Sequence, residues 1–280
     1  MLHVVNYRMD GLIKIMKNNL VSIITPAYNS ERTIEETIQS VLAQTYDNWE
    51  MIIVDDCSLD ETLTIVKKFL EKDARIVLVE LDENSGVASA RNAGIKRASG
   101  RYIAFLDSND LWNPDKLKRQ IGFMKEEGCY FSYTAYEIID VDGRDLGKVV
   151  TVPLHQNYRN LVKMNAIGCL TVMIDIEEIE DIEMPLLKHE DFALWLTILR
   201  RGYVAHGLNE NLAKYRKHDD SLSFNKIKTP GGVWRVYRKN QNISVVLSSI
   251  YLFHFITRTL IKYKKLGRLQ EVVGFKKRSG

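Results

Sequence analysis

The chain has 280 residues, 45% hydrophobic and 27% charged, which suits one large α/β domain with a smaller appendage and excludes global disorder. A formal charge of +3 is too small to argue for nucleic acid as a partner, and none is expected. Cys57, Cys129 and Cys169 are scattered and form no CxxC pair, which excludes a disulfide framework and fits a reducing cytoplasm.

In chain order, the first residues lack the basic, apolar and small-residue regions of a signal peptide. Met16 reads as an alternative start, so residues 1–19 are expected to be an extension. Val21-Ser-Ile-Ile-Thr25 predicts a strand ending at Pro26, followed by a helix with Ile34, Ile38, Val41 and Leu42 at helical spacing. Trp49–Val54 predicts a strand buried on both faces, and Asp60 opens a helix carrying Leu63, Val66, Phe69 and Leu70. Ile76–Val79, Val87–Ala98 and Tyr102–Leu106 then read as strand, helix and strand, with Gly100 ending the helix. This alternation implies right-handed crossovers and a mostly parallel, Rossmann-like sheet flanked by helices. Ligands bind beyond the carboxyl ends of such strands, and three of the four ends here carry acidic residues.

After Trp112 the pattern loosens. Residues 114–127 predict a helix, 130–139 a strand, 141–143 a turn, and 169–174 another strand. Residues 190–201 predict a helix stopped by Gly202, 203–215 an extended segment, and the region past Pro230 more helix. From Gly231 onward Glu271 is the only acidic side chain among many lysines and arginines, so 229–280 reads as a basic helical tail.

Asp107-Ser108-Asn109-Asp110, directly after a strand, is placed to hold a divalent cation against a bound diphosphate, or else to cap a helix. At this point the chain resembles family 2 glycosyltransferases. Val21–Asn29, Ile53–Asp60, Gly86–Gly94 and Leu106–Trp112 look like that family's successive signatures, in its order and spacing. The resemblance covers about residues 20–225 and implies a GT-A fold over 20–228, with a donor half (20–112) and an acceptor half (113–228). It implies inverting transfer of a sugar from a nucleotide diphosphate donor, UDP-linked, to a hydroxyl of a glycan or lipid-linked acceptor in cell-surface polysaccharide or glycoconjugate synthesis.

Position by position, the resemblance places Thr25, Pro26, Ala27 and Tyr28 along the nucleotide base and Asp56, with Asp55, on the base or ribose. It places Gly86 in a loop where a side chain would crowd the donor, and Arg91 on the nucleotide or its phosphates. Asp107 and Ser108 fall in the DxD position, where Asn109 replaces the acidic ligand; Asp110 is the neighbour that can substitute. Mn2+ or Mg2+ is therefore the implied cofactor, held by Asp107, Asn109, Asp110 and His218, and the departure at Asn109 keeps open a nucleotide-sugar-binding member without turnover. Arg216 is expected to meet the pyrophosphate. His189-Glu190-Asp191 resembles the family's acceptor-side motif, with Asp191 as general base and Glu190 in support; an acidic helix N-terminus is the alternative.

Residues 242–257 are uncharged apart from His254 but too short and too broken by polar residues to span a membrane. They read either as an interfacial helix, giving peripheral contact with the inner face of the membrane through 231–268, or as a core helix with solvated basic flanks. A dinucleotide-dependent oxidoreductase fits poorly, since Pro26-Ala-Tyr-Asn-Ser stands where a GxGxxG turn is needed.

Overall fold

The computed structural model describes the backbone of residues 6–9, 12–15, 17–217 and 229–276, and the side chains of 19–217 and 230–261. A small antiparallel pair, β1 (Asn6–Met9) and β2 (Leu12–Ile15), precedes the main body. Four parallel strands follow, β3 (Lys17–Ala27), β4 (Trp49–Asp55), β5 (Ile76–Glu80) and β6 (Gly100–Phe105), alternating with α1 (Ile34–Leu42), α2 (Thr62–Leu70) and α3 (Val87–Arg97). Adjacent residues of these strands enter opposite cores: Ile24, Ile52 and Val54 lie in one, Ile23, Met51 and Ile53 in the other. Burial on both faces is why β4 is an unbroken apolar run and not an alternating one.

The second half is mixed. It contains β7 (Leu111–Trp112), α4 (Lys116–Glu126), β8 (Phe131–Ile139), β9 (Asp145–Val150), β10 (His155–Gln156), α5 (Tyr158–Leu161), β11 (Met173–Asp175), α6 (Glu190–Arg200) and β12 (Ala205–Arg216). The sheet runs β10-β12-β8-β11-β6-β3-β4-β5, with β7 on β12 and β9 on β8. Strand β11 is antiparallel to both β6 and β8, so it joins the parallel first half to the parallel β8–β12 pair.

Three local expectations shift. Strand β3 continues through Pro26 to Ala27, and Gly100 opens β6, α3 having stopped at Arg97. Residues 169–171 form a 3-10 turn before the short β11, because the Thr171 N–H and hydroxyl both donate to the Gly168 carbonyl. Finally, α7 (Thr229–Arg235), a π-helical turn at Val236–Asn240 and α8 (Val245–Lys276) complete the chain. Within them, Tyr237 and Phe255 pack on Phe192 of α6, with ring centroids 6.3 and 5.8 Å away.

Candidate active site

The carboxyl ends of β3, β4 and β6, together with the 84–87 loop, open on a cavity of about 1480 Å³. On its donor-half side, Asp56 uses both carboxylate oxygens to fix that loop, Oδ1 accepting from the Ser85 N–H at 2.7 Å and Oδ2 from the Gly86 N–H at 2.8 Å. Gly86, at φ 85°, makes the turn that starts α3, a conformation that costs little without a Cβ. Pro26, Ala27 and Tyr28 line the cavity, whereas Thr25 and Asp55 lie fully buried outside its lining. Asp55 instead holds the following turn, its Oδ2 accepting from the Ser58 N–H at 2.9 Å. Ser108 lines the cavity; its hydroxyl is 2.7 Å from that of Ser30, and its carbonyl accepts from Thr33 and Thr37 of the α1 turn.

Arg91 joins the two halves. It is 4% exposed and donates to Asp107 Oδ1 and to Glu190 Oε1, each at 2.5 Å. Its placement depends on Gly94 one turn on, where a Cβ would stand 2.6 Å from the Ile24 side chain; without one, α3 settles directly on β3. Burial works against the charge on Arg91, but Asp107 and Glu190 outweigh it and raise its pKa well above the usual guanidinium value. The guanidinium expected on the nucleotide is thus bound to two carboxylates in the cavity lining.

Glu190 and Asp191 begin α6, directly after His189, which sits in the left-handed region at φ 66°. That conformation is uncommon for a residue other than glycine, and such outliers gather at functional sites. Gly232 of α7 lets the His189 ring approach closely, since a Cβ there would lie 2.5 Å from its Cδ2. Asp191 lines the cavity, and burial, reinforced by the neighbouring Glu190, pushes its carboxyl up to about 7. A carboxylate tuned to that range can take a proton near neutral pH and hold it. Cys169 also borders the cavity, where burial keeps its thiol protonated.

The DxD position supplies a partial oxygen set. The Asp107 side chain is 33% exposed toward the cavity and Asn109 follows on the same rim. Asp110 is 1% exposed; its Oδ1 accepts from the Arg216 N–H at 2.8 Å, and its buried Oδ2 has no protein partner. Burial, then the charge of Asp107, raises its pKa well above the ordinary carboxylate value. Among the described residues no three His, Cys, Asp or Glu side chains converge to hold an ion. Asp107 and the Asn109 amide fit a hard cation that takes its remaining ligands from phosphate and water. His218 lies outside the described residues.

Arg216 does not line the cavity. Its Nε donates to the Asn109 carbonyl, Nη1 to the Val141 carbonyl and Nη2 to Glu36 Oε2, tying β12 and α1 to the Asp107–Asp110 turn. Three of its guanidinium N–H donors thus hold the rim.

The cavity's far side is largely apolar and was not marked by sequence motifs. It includes the 164–170 loop, Tyr136, Val233, Phe255 and Thr259, while Arg32 and Lys188 add cations to the cavity lining. Val233 and Phe255 are core-like residues in a helical pattern, and nothing in their spacing separates a cavity wall from a core.

A model of the family described as glycosyl transferase family 2 matches residues 22–174. TuaG of Bacillus subtilis (strain 168), whose name provisionally assigns it to teichuronic acid biosynthesis, is 48% identical over 80% of this chain and 89% of its own. WfaP of Escherichia coli, a UDP-Glc:alpha-D-GlcNAc-diphosphoundecaprenol beta-1,3-glucosyltransferase, is 42% identical over 87% of this chain and 95% of its own. Among solved structures, Staphylococcus aureus TarS 1-349 in complex with UDP-GlcNAc superposes with a TM-score of 0.65 at 23% identity, over 85% of this chain and 72% of that one, a likeness of fold.

Proposed function

The chain belongs to glycosyl transferase family 2, and from that premise we propose that it moves a sugar from a UDP-sugar to a hydroxyl of a lipid-linked glycan, with inversion at the anomeric carbon. The product would enter a cell-surface polysaccharide or glycoconjugate. The carrying observation is Asp191, a carboxyl pushed up to about 7 on a cavity that also holds the Asp56 loop and the Asp107 rim.

In this reading the nucleotide lies along Pro26–Tyr28 and Asp56, and the acceptor enters from the apolar side. Asp191 takes the acceptor hydroxyl proton as that oxygen bonds to the anomeric carbon; the bond from that carbon to the diphosphate oxygen breaks, and UDP leaves with the electron pair. Arg91 positions both ends of the reaction, since it holds Asp107 on the donor side and Glu190 beside the base. A divalent cation, manganese or magnesium, held by Asp107 and Asn109 would offset the charge developing on the leaving diphosphate.

We place the protein at the inner face of the membrane as a peripheral component. The relative WfaP acts, by its name, on a diphosphoundecaprenol acceptor. No helix among the described residues is long and apolar enough to cross a membrane. A second reading, a nucleotide-sugar binder without turnover, draws on Asn109 in the DxD position and on the Asp107–Arg91 ion pair.

The test is to incubate the purified chain with UDP-glucose, manganese and a lipid-linked GlcNAc diphosphate. Release of UDP with a β-linked disaccharide product is expected. Binding of UDP with no release from any UDP-sugar in a donor screen would favour the binder.

A further inference from the structure

Helix α8 has two unlike faces. Val246, Ile250, Phe253 and Leu260 fall at helical spacing on one stripe and are 69, 46, 66 and 48% exposed. Two residues on from Phe253, about 200° around the helix, Phe255 is 8% exposed, packs on Phe192 and lines the cavity that holds Asp191; Thr259, one turn further, lines it too. The helix is therefore at once a wall of the active site and an uncovered apolar surface.

Charge indicates what covers that surface. Residues 231–261 contain no Asp or Glu, while exposed Arg235, Lys239 and Arg258 lie on or just before α8. An apolar stripe in a stretch whose only charged side chains are cations matches the acyl and headgroup layers of an anionic bilayer. A second copy of the chain is a poor fit, since a twofold contact would set these cations against their own like. Resting on the lipid-linked acceptor reading above, we propose that the outer face of α8 lies on an anionic membrane surface while its inner face, Phe255 and Thr259, forms the wall along which a membrane-anchored acceptor reaches Asp191.

The experiment compares the full chain with the double variant Ile250→Asp/Phe253→Asp, both positions being exposed and outside the cavity lining. Co-sedimentation is measured with phosphatidylglycerol–phosphatidylcholine vesicles, with pure phosphatidylcholine vesicles, and in high salt. The wild-type chain is expected to sediment with the anionic vesicles and less so in salt, and the variant to bind at least about tenfold more weakly with an unchanged UDP thermal shift. Wild-type protein left in the supernatant, or a variant that sediments equally well, would overturn the proposal. So would a wild-type dimer that the variant converts to monomer without vesicle binding, which would give the face to a second copy. A second arm measures transfer to the acceptor in vesicles and in detergent: the variant should lose about tenfold in vesicles only, and equal loss in both would overturn the proposal. Absence of transfer by the wild-type chain in either medium counts against the acceptor reading, while sedimentation still judges the helix.

Discussion

The donor and acceptor halves solve the same problem, holding side chains on one rim, by different means. In the donor half the backbone does most of it: β3, β4, β5 and β6 are parallel, and the Asp56 carboxylate holds a loop through two N–H groups. In the acceptor half the strands are mixed in direction and run from two residues in β10 to twelve in β12, and side chains do much of the tying: Arg91 reaches across to Glu190, and Arg216 binds the Asn109 and Val141 carbonyls and Glu36. Under the proposed function, the difference teaches that the nucleotide side would rest on a regular scaffold, whereas Asp191 and the apolar wall depend on long-range polar and aromatic contacts. Changes in the donor half should then act on binding, and changes in the acceptor half on turnover.

The sharpest separation is Asp191→Asn, which should lower kcat about 10²- to 10⁴-fold, the usual worth of a general base, with UDP affinity within about twofold. Parallel fall of both would erase the division of labour. The same variant should be more stable than wild type at pH 8 and similar near pH 4. Because burial raises the folded-state value of Asp191 above its unfolded value, the stability it contributes is full below about 4 and is lost as pH rises through about 7. Melting curves at the two pH values check this.

Arg91→Met should break the comparison from the other side, because Arg91 belongs to both halves. Leaving Asp107 and Glu190 without their cation should cost about 3–5 kcal/mol of unfolding free energy by denaturant titration. It should also reduce UDP affinity and kcat together, in contrast to Asp191→Asn. A smaller effect is expected at Asp56→Ala, which releases the Ser85–Gly86 loop: UDP affinity should fall about tenfold in calorimetry, in line with loss of charge-assisted hydrogen bonds. Smallest is Asn109→Asp, which returns a carboxylate to the rim and should tighten manganese binding in the presence of UDP by a few-fold to about tenfold. Unchanged affinity would remove position 109 from the ion's ligands.

The two halves also differed in how far their residues could be read. The donor half was legible because each strand is an apolar run closed by a polar turn, and the four motifs lie in the turns. The family assignment reached Glu190 and Asp191, since the acidic pair opens a clear helix. Arg216 could not be placed this way: its sequence neighbours mark it as charged, but its burial against Asn109, Val141 and Glu36 arises from contacts 75 to 180 residues apart. The sequence offered no sign that the Asp110 Oδ1 accepts from the Arg216 N–H, a contact across 106 residues. Phe255 and Thr259 lay in what read as a tail, and only the packing of α7 and α8 on α6 brings them to the cavity.

The central claim is that Asp191, lifted to about 7 by burial beside Glu190, is the base of a site whose nucleotide half is independent of it. The most direct measurement is the pH dependence of kcat for the wild-type chain, with UDP affinity followed over the same range. The expected result is a kcat that rises tenfold per pH unit below an apparent pKa near 7 and levels off above it, while UDP affinity stays flat through that limb. A kcat that is level from weakly acidic to weakly alkaline pH, or one that tracks UDP affinity throughout, would contradict it.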